Sequence, residues 1–486
     1  MVSAGQVIKN TTFLTTAFIG RKLLTFAYFI LIARYTSVET TGIYFLMVSF
    51  ATLFTSLLDF GLSTTLIREA SKDINSLSRY LHSVLGLKLV LFLIAILCGW
   101  LLINMLDYPL VTRQLIHLII VVMFFQTFSD SFYACLRVHH LMKYEFRGIL
   151  VGQSVTLVVG GLSIWLDRSV HYLIFALIAN QAFNFLYALF QVVKRLGINP
   201  GLRFDTTVLK PFVFISLPFL VSTLFARLLS ADTLILSKLT NEEMLGYFSI
   251  PSTIAGSLQF IPAALVAATF PALSSFHVTS PEKLSRAFAA TFDSLLTFAV
   301  PVAAGIIFFS AEIIHVAFGS TYDPATRCLQ VLGASLIPMF VGHGIGGLLD
   351  ACNKQVVNMT LMGISAAIHV ALTIILIPYF GGTGVALAVL AGHTIILLST
   401  FAAALKILEI GPNYFLATSA RVGFAGLLMT LCLVSLKDHL HLLMVLLLAV
   451  AVYLITLVIL RGLTRGGFDK HKAYGEWLNL FKRAFE

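Results

Sequence analysis

Charged side chains are scarce in this sequence. Asp, Glu, Lys and Arg make up 11% of its 486 residues, less than half the roughly 25% of a soluble domain. Size does not explain the shortage, because longer soluble chains divide into further domains and do not become uniformly apolar. Metal and redox cysteine spacings are missing too. Cys98, Cys135, Cys328, Cys352 and Cys432 are scattered, mostly within apolar stretches, and read as packing residues. No short hydrophobic core followed by a small-residue cleavage site opens the chain, so its first apolar stretch reads as a helix and not as a signal peptide. Long extramembrane loops are lacking, which leaves little room for a soluble catalytic domain or an ATP site. Gly342-His343-Gly344-Ile345-Gly346-Gly347 lies in an apolar stretch with no strand before it and no Lys-Ser/Thr after it, unlike a phosphate loop. The expectation is a protein that is not an enzyme and needs no cofactor and no metal.

What the chain has in excess is apolar surface: 58% of residues are hydrophobic and the mean hydropathy is +0.95. Lipid is therefore part of its solvent, and lipid offers the backbone no hydrogen-bond partners, so spanning segments are helices or a closed barrel. The apolar runs are long and unbroken, without the ten-residue alternation of barrel strands. Windows of about twenty apolar residues predict an all-α integral membrane protein of fourteen transmembrane helices, the first near residues 8–33 and the last near 440–460. With fourteen helices both termini lie on one side. One set of alternate loops then holds Arg68, Lys72, Arg79, Arg137, Lys143, Arg147, Lys194, Arg195, Arg203, Lys210, Lys283, Arg286, Lys354 and the tail from Arg461. The other set has only Arg34, Arg113, Arg168, Lys238, Arg327 and Lys437. By the positive-inside rule the first set and both termini are cytoplasmic. The formal charge of +10 is thus topological and does not point to nucleic acid.

The chain also repeats itself. Leu31-Ile32-Ala33-Arg34-Tyr35-Thr36, then Glu39 and Gly42-Ile43-Tyr44, aligns without gaps on Ile235-Leu236-Ser237-Lys238-Leu239-Thr240, then Glu243 and Gly246-Tyr247-Phe248. A fainter echo relates Ala134-Cys135 to Ala351-Cys352. A parallel duplication of helical bundles is a transporter architecture. It divides the chain into an N-terminal lobe (1–195, helices one to six), a C-terminal lobe (196–410, helices seven to twelve), two appended helices (411–462) and a tail (463–486). In the tail Trp477, Leu478, Phe481 and Phe485 share a helical face beside Lys470, Lys472, Lys482 and Arg483, a pattern suited to anionic lipid.

Several stretches resemble one family. Leu245-Gly246-Tyr247-Phe248 through Phe260-Ile261-Pro262-Ala263-Ala264-Leu265 to Phe270-Pro271-Ala272-Leu273 is similar to the eighth helix of polysaccharide flippases. Asp59-Phe60-Gly61 leading to Arg68-Glu69, Phe318-Gly319-Ser320-Thr321-Tyr322, and Ile377-Pro378-Tyr379-Phe380-Gly381-Gly382-Thr383-Gly384 look similar too. That family belongs with multidrug extruders and lipid II flippases in one exporter superfamily. The resemblance implies two six-helix lobes in pseudo-two-fold arrangement around a central cavity, plus two C-terminal helices. It also implies alternating access by a single transporting unit in a bacterial cytoplasmic membrane. The implied substrate is a polyprenyl-pyrophosphate-linked oligosaccharide, an O-antigen or other polysaccharide repeat unit of lipopolysaccharide-type synthesis, with a polymerase or ligase as downstream partner.

Ions inside apolar helices are costly and mark cavities or partners. Arg21 and Lys22 fall near the middle of the first helix and Arg227 near the middle of the seventh, too deep to snorkel, so they are the candidate pyrophosphate contacts. The competing reading for Arg227 is an ion pair with Asp232, awkward because five residues put the two about 140° apart around a helix. Lys88 lies close enough to a helix end to snorkel. Asp59, Asp130, Asp232 and Asp293 are candidates for ion coupling or ion pairing. Gln126, Gln153, Asn180, Gln181, Asn184, Gln259, His343, His369 and His393 either line a cavity or bond between helices. Pro218, Pro251, Pro262, Pro271, Pro301 and Pro338 are candidate flexing points. An ion-coupled multidrug or cation exporter is the alternative within transport. A membrane-embedded polymerase or glycosyltransferase is the alternative outside it, weakened by an outer loop near 310–326 whose acids are Glu312 and Asp323 alone.

Overall fold

Hydrocarbon leaves a spanning backbone little choice, and the computed structural model shows the result. It describes residues 4–105, 110–166, 169–228, 231–436 and 442–463, and among them every regular element is a helix. In chain order these are α1 (Ala4–Tyr35), α2 (Val38–Asp59), α3 (Leu62–Ala70), α4 (Leu77–Met105), α5 (Leu110–Val138), α6 (Met142–Leu166) and α7 (Val170–Leu196). There follow α8 (Thr206–Leu228), α9 (Asp232–Leu239), α10 (Glu242–Ser257), α11 (Phe260–Thr279), α12 (Pro281–Phe308) and α13 (Ser310–Phe318). The last are α14 (Thr326–Ala351), α15 (Gln355–Phe380), α16 (Gly382–Ala404), α17 (Pro412–Leu436) and α18 (Leu442–Leu463). Among the described residues eleven helices are long and apolar enough to cross a membrane, or twelve if Thr206–Leu217 and Phe219–Phe225 form one span bent by 42°. In addition α18 has a shorter apolar stretch, Met444–Leu460. The amphipathic tail expected around Trp477 lies outside the described residues.

Contacts divide the chain into two units, Met1–Ser249 and Ile250–Glu486. In the first, α1 lies along α6, α6 and α5 lie along α7, and α2, α3 and α4 pack on α5. In the second, α14 packs on α16, α12 and α11, α16 on α15, and α17 on α12 and α18. Large side chains cover the outside: Trp165 at the end of α6 is 81% exposed and Tyr379 at the end of α15 is 78% exposed, the position that interfacial aromatics take. Helix ends follow local chemistry. Ser37 caps α2 by accepting from Thr40 N, and Ser280 caps α12 with Pro281 next in the chain. Between α2 and α3, Phe60 and Gly61 are both left-handed (φ 51° and 72°), which breaks the helix so that α3 starts anew. A Cβ at Gly61 would press on Phe219 and Ser216.

The repeat is structural. Thr36 Oγ1 donates to Ile32 O at 2.8 Å, and the aligned Thr240 Oγ1 donates to Leu236 O at 2.8 Å. Moreover, the two copies meet. Gly42 of α2 packs against the carbonyl oxygen of Glu242, while Gly246 of α10 packs against the carbonyl oxygen of Val38. Val38 and Glu242 are themselves aligned positions, so each copy makes the other's contact, as at a two-fold interface. The fainter echo does not align in this way. His140 and Asn353 are the left-handed residues (φ 57° and 58°) that turn α5 into α6 and α14 into α15. Cys352 stands next to its turn residue, whereas Cys135 lies a helical turn further back.

Lipid supplies no hydrophobic drive between helices, so close approach of backbones carries their association. Gly246→Ala, which sets a methyl group against Val38, is expected to destabilise the protein by about 1–3 kcal/mol. Gly256→Ala in the same helix, where nothing lies within 4 Å, is expected to be neutral; thermal unfolding in detergent compares them. Outside the helices, the segment between α7 and α8 is tied down. Arg79 Nε donates to Asp205 Oδ2 at 2.7 Å, and Arg203 N donates to His82 O at 3.2 Å. Hydrogen bonds from Thr207 and then Arg79 hold the Asp205 carboxyl down to about 2. A depressed carboxyl contributes its stabilisation above its ordinary value of about 3.9 and loses it as the pH falls through the folded value. Hydrogen-exchange protection at Arg203 is therefore expected to hold at neutral pH, fall from about pH 4 toward 2, and be lost at neutral pH in Arg79→Ala.

Candidate functional site

Two kinds of cation separate in the first unit. The first is neutralised within the protein. Lys88 on α4 is wholly buried, and its Nζ lies 2.8 Å from Asp59 Oδ1 at the end of α2. It also donates to Ser63 Oγ of α3 and to Thr127 O of α5, each at 3.0 Å. Ser63 donates in turn to Asp59. One ammonium group thus uses its three protons on three different helices. The snorkelling expected for Lys88 does not occur, because Asp59 sits within reach inside the bundle. A second neutralised pair joins Arg137 at the end of α5 to Glu145 in the first turn of α6, with Nε to Oε2 at 2.8 Å and the other guanidinium nitrogen on Oε1.

The second kind carries no counter-ion. Among the described residues Arg21, Lys22 and Arg227 make no ion pair. Arg21 and Lys22 are exposed on α1, and Asp130 of α5 lies within electrostatic range of Arg21 without bonding to it. Arg227 on α8 is half-buried, and its Nε donates to Ser56 Oγ of α2 at 2.9 Å; Ser56 itself donates to Thr52 O at 2.8 Å. No bond joins Arg227 to Asp232, which is buried at the start of α9, and no hydrogen bond or ion pair joins Arg227 to Arg21 or Lys22. Ser56 as the arginine's anchor was not legible, since a lone serine in an apolar helix usually bonds to its own backbone.

The remaining carboxylate candidate, Asp293 on α12, belongs to the second unit. It accepts from Tyr414 Oη of α17 at 3.0 Å and lines a small cavity with Thr418, Arg421, Val422, Leu457 and Leu460. Arg421 donates to Thr418 Oγ1 at 2.8 Å.

Asn180 and Asn184 face inward together, as their spacing implied. Tyr133 Oη donates to Asn184 Oδ1 at 2.7 Å, and Asn184 Nδ2 donates to Asn180 Oδ1 at 2.7 Å. Gly148 and Gly152 on α6 make room for this chain of bonds, because a Cβ at either would strike Tyr133 or the two asparagines. Interhelical bonding accounts for these residues. His369 on α15 is buried, His393 on α16 half-buried and His343 on α14 exposed.

Removing one partner of a buried pair leaves an uncompensated charge in low dielectric. Lys88→Met is therefore expected to cost about 3–5 kcal/mol, and adding Asp59→Asn to recover most of it; thermal unfolding of the single and double variants measures both.

Comparison with known proteins places this geometry. The chain matches a lipid II flippase, MurJ, in an inward closed conformation, with 20% identity and a TM-score of 0.72 over 93% of this chain and 100% of that one. It matches an inward-facing multidrug resistance MATE transporter with 16% identity and a TM-score of 0.66 over 80% and 94%. It also matches a MOP superfamily transporter from Pyrococcus furiosus, described as having a binding pocket of reverse polarity that suggests a different function (15%, TM-score 0.61, 84% and 98%). No curated protein matches in sequence. These likenesses show the fold of MOP superfamily transporters and, with the apolar helices, a multi-pass membrane protein. The sequence model described as polysaccharide biosynthesis protein matches residues 31–327, more than half the chain, and the chain belongs to that family.

Proposed function

We propose that the protein flips a polyprenyl-pyrophosphate-linked oligosaccharide, an O-antigen or other polysaccharide repeat unit, from the cytoplasmic to the outer leaflet by alternating access. The observation that carries this reading is the contrast between two sets of cations. Lys88 and Arg137 have carboxylate partners, whereas Arg21, Lys22 and Arg227 have none among the described residues. A cation left without a counter-ion at membrane depth is expensive and suits a ligand that brings the negative charge with it. A planar guanidinium matches phosphate oxygens with paired donors, and low dielectric strengthens the attraction.

In this reading the chain crosses a bacterial cytoplasmic membrane fourteen times, counting α1 and α18 with the twelve spans given above, and both termini face the cytoplasm. Two six-helix lobes, 1–195 and 196–410, move against each other as one transporting unit, with 411–462 appended and the tail resting on lipid. The reciprocal packing of Gly42 and Gly246 supports the duplication on which this division rests. Asp59 acts as the structural partner of Lys88, leaving Asp130, Asp232 and Asp293 as carboxylates that respond to substrate or ions. The fold alone does not choose between a lipid-linked anion and a cationic drug; the sign of the unpaired charges favours the anion.

The test is reconstituted flipping of a fluorescent polyprenyl-diphosphate sugar. Arg227→Ala is expected to lower the rate at least tenfold while the protein stays folded, with Arg227→Lys in between. Unchanged flipping by the alanine variant, or export of a cationic dye in preference to the lipid, defeats the proposal.

A further inference from the structure

Ser and Thr hydroxyls in these helices mostly donate back to their own backbone, as Thr291, Thr394 and Thr400 do. Two on α15 do not. Ser365 and Thr373 are buried, 1% and 0% exposed, and their hydroxyl oxygens have no hydrogen-bond partner. Between them, one helical turn from each, lies His369, itself 1% exposed. The three residues form a polar column on one face of a helix that is otherwise Val, Leu, Ile and Ala over this stretch.

Two further imidazoles stand nearby. On α16, which packs on both α14 and α15, Gly392 lacks the side chain that would press on the His369 ring; a Cβ there would lie 3.3 Å from His369 Nδ1. The next residue is His393, midway along α16, and it lies within electrostatic range of both His369 and His343 of α14. Exposure falls along the series, from exposed His343 through half-buried His393 to buried His369. Among the described residues no three His, Cys, Asp or Glu side chains are arranged to hold a metal ion.

We propose that His343, His393 and His369 form a proton relay in the second unit, its inner end completed by the Ser365 and Thr373 hydroxyls, and that it couples proton entry to transport. The coupling half of this rests on the flippase reading. Histidine is the side chain that changes charge near neutral pH, and a protonatable residue inside a membrane is costly unless it serves a pathway. At each ring a proton adds to one nitrogen while the proton on the other passes to the next ring or hydroxyl, so one N–H bond forms, one breaks and the ring ends as its other tautomer. Hydroxyls that accept and donate extend such a path, and both are unused here. A sodium ion would seek oxygen ligands and a carboxylate. The titratable groups on the surrounding helices stand elsewhere: Arg327 and Asp350 toward the two ends of α14, Tyr379 at the end of α15, His277 at the end of α11, and, on α12, Glu282, Lys283 and Arg286 near its start and Asp293 engaged by Tyr414. His343 and His369 are the titratable neighbours that act on His393. In such a relay protonation of one ring opposes protonation of the next, so coupled titration is its expected signature.

Full-length protein with 15N-labelled histidine in lipid nanodiscs is titrated by NMR from about pH 5 to 8. The expected result is three coupled imidazole signals, with His393→Gln moving the midpoints of the other two and His277→Gln leaving them in place. His343→Gln, at an exposed position, makes the same comparison if His393→Gln does not fold. Three independent titrations, or none, overturn the relay. In proteoliposomes with a fluorescent polyprenyl diphosphate, an imposed pH gradient is expected to raise the flipping rate severalfold, and the ratio to fall to one in His393→Gln. A wild-type ratio of one overturns proton coupling while leaving the flippase reading. Coupled titration without any flipping supports the relay and removes the flippase reading.

Discussion

Everything in this fold follows from the refusal of hydrocarbon to accept a hydrogen bond. Helices satisfy the backbone internally, and most hydroxyls in them are satisfied by the same backbone. The same constraint governs side chains that cannot be served locally. Lys88 has no carbonyl of its own helix to use, so α2, α3 and α5 must each present an acceptor in one place. Their packing around α4 is as much a consequence of that ammonium group as of apolar fit. Tyr133, Asn184 and Asn180 solve the same problem with neutral groups, at the cost of two glycines on α6.

Because lipid tails are as apolar as leucine, the helices gain little by hiding hydrophobic surface from one another. Dispersion at short range takes over, and short range requires small residues. Gly42 and Gly246 show this with unusual economy: a duplicated sequence brings its two copies together, and each places a glycine where the other presents a carbonyl oxygen. A chance similarity of letters would have no reason to generate contacts related in this way. The Ala-Cys echo, lacking such reciprocity and out of register with its turns, marks a recurring hairpin and no aligned repeat.

Against a background in which polar groups are matched, the unmatched ones stand out. Among the described residues Arg21, Lys22 and Arg227 make no ion pair, and the buried hydroxyls of Ser365 and Thr373 have no hydrogen-bond partner. These are two places where the described residues leave chemistry open. The first calls for a ligand with negative charge, and the second for something small enough to enter between packed helices.

The sequence by itself determined the helical class, the approximate spans, the alternation of loop charge and the presence of a duplication. It did so because the bilayer acts on each segment separately, through length, hydropathy and flanking charge. The shared face of Asn180 and Asn184 was legible for the same reason, being a matter of period within one helix. Only the tertiary structure decided which charge meets which. Asp59 finds Lys88 across 29 positions and Arg227 finds Ser56 across 171, and no local pattern encodes such distances. Lys88, read from its depth as a residue able to reach the headgroups, turns inward because a carboxylate on another helix is nearer than water. The three histidines were visible as letters on three separate helices; their proximity exists only once α14, α15 and α16 pack.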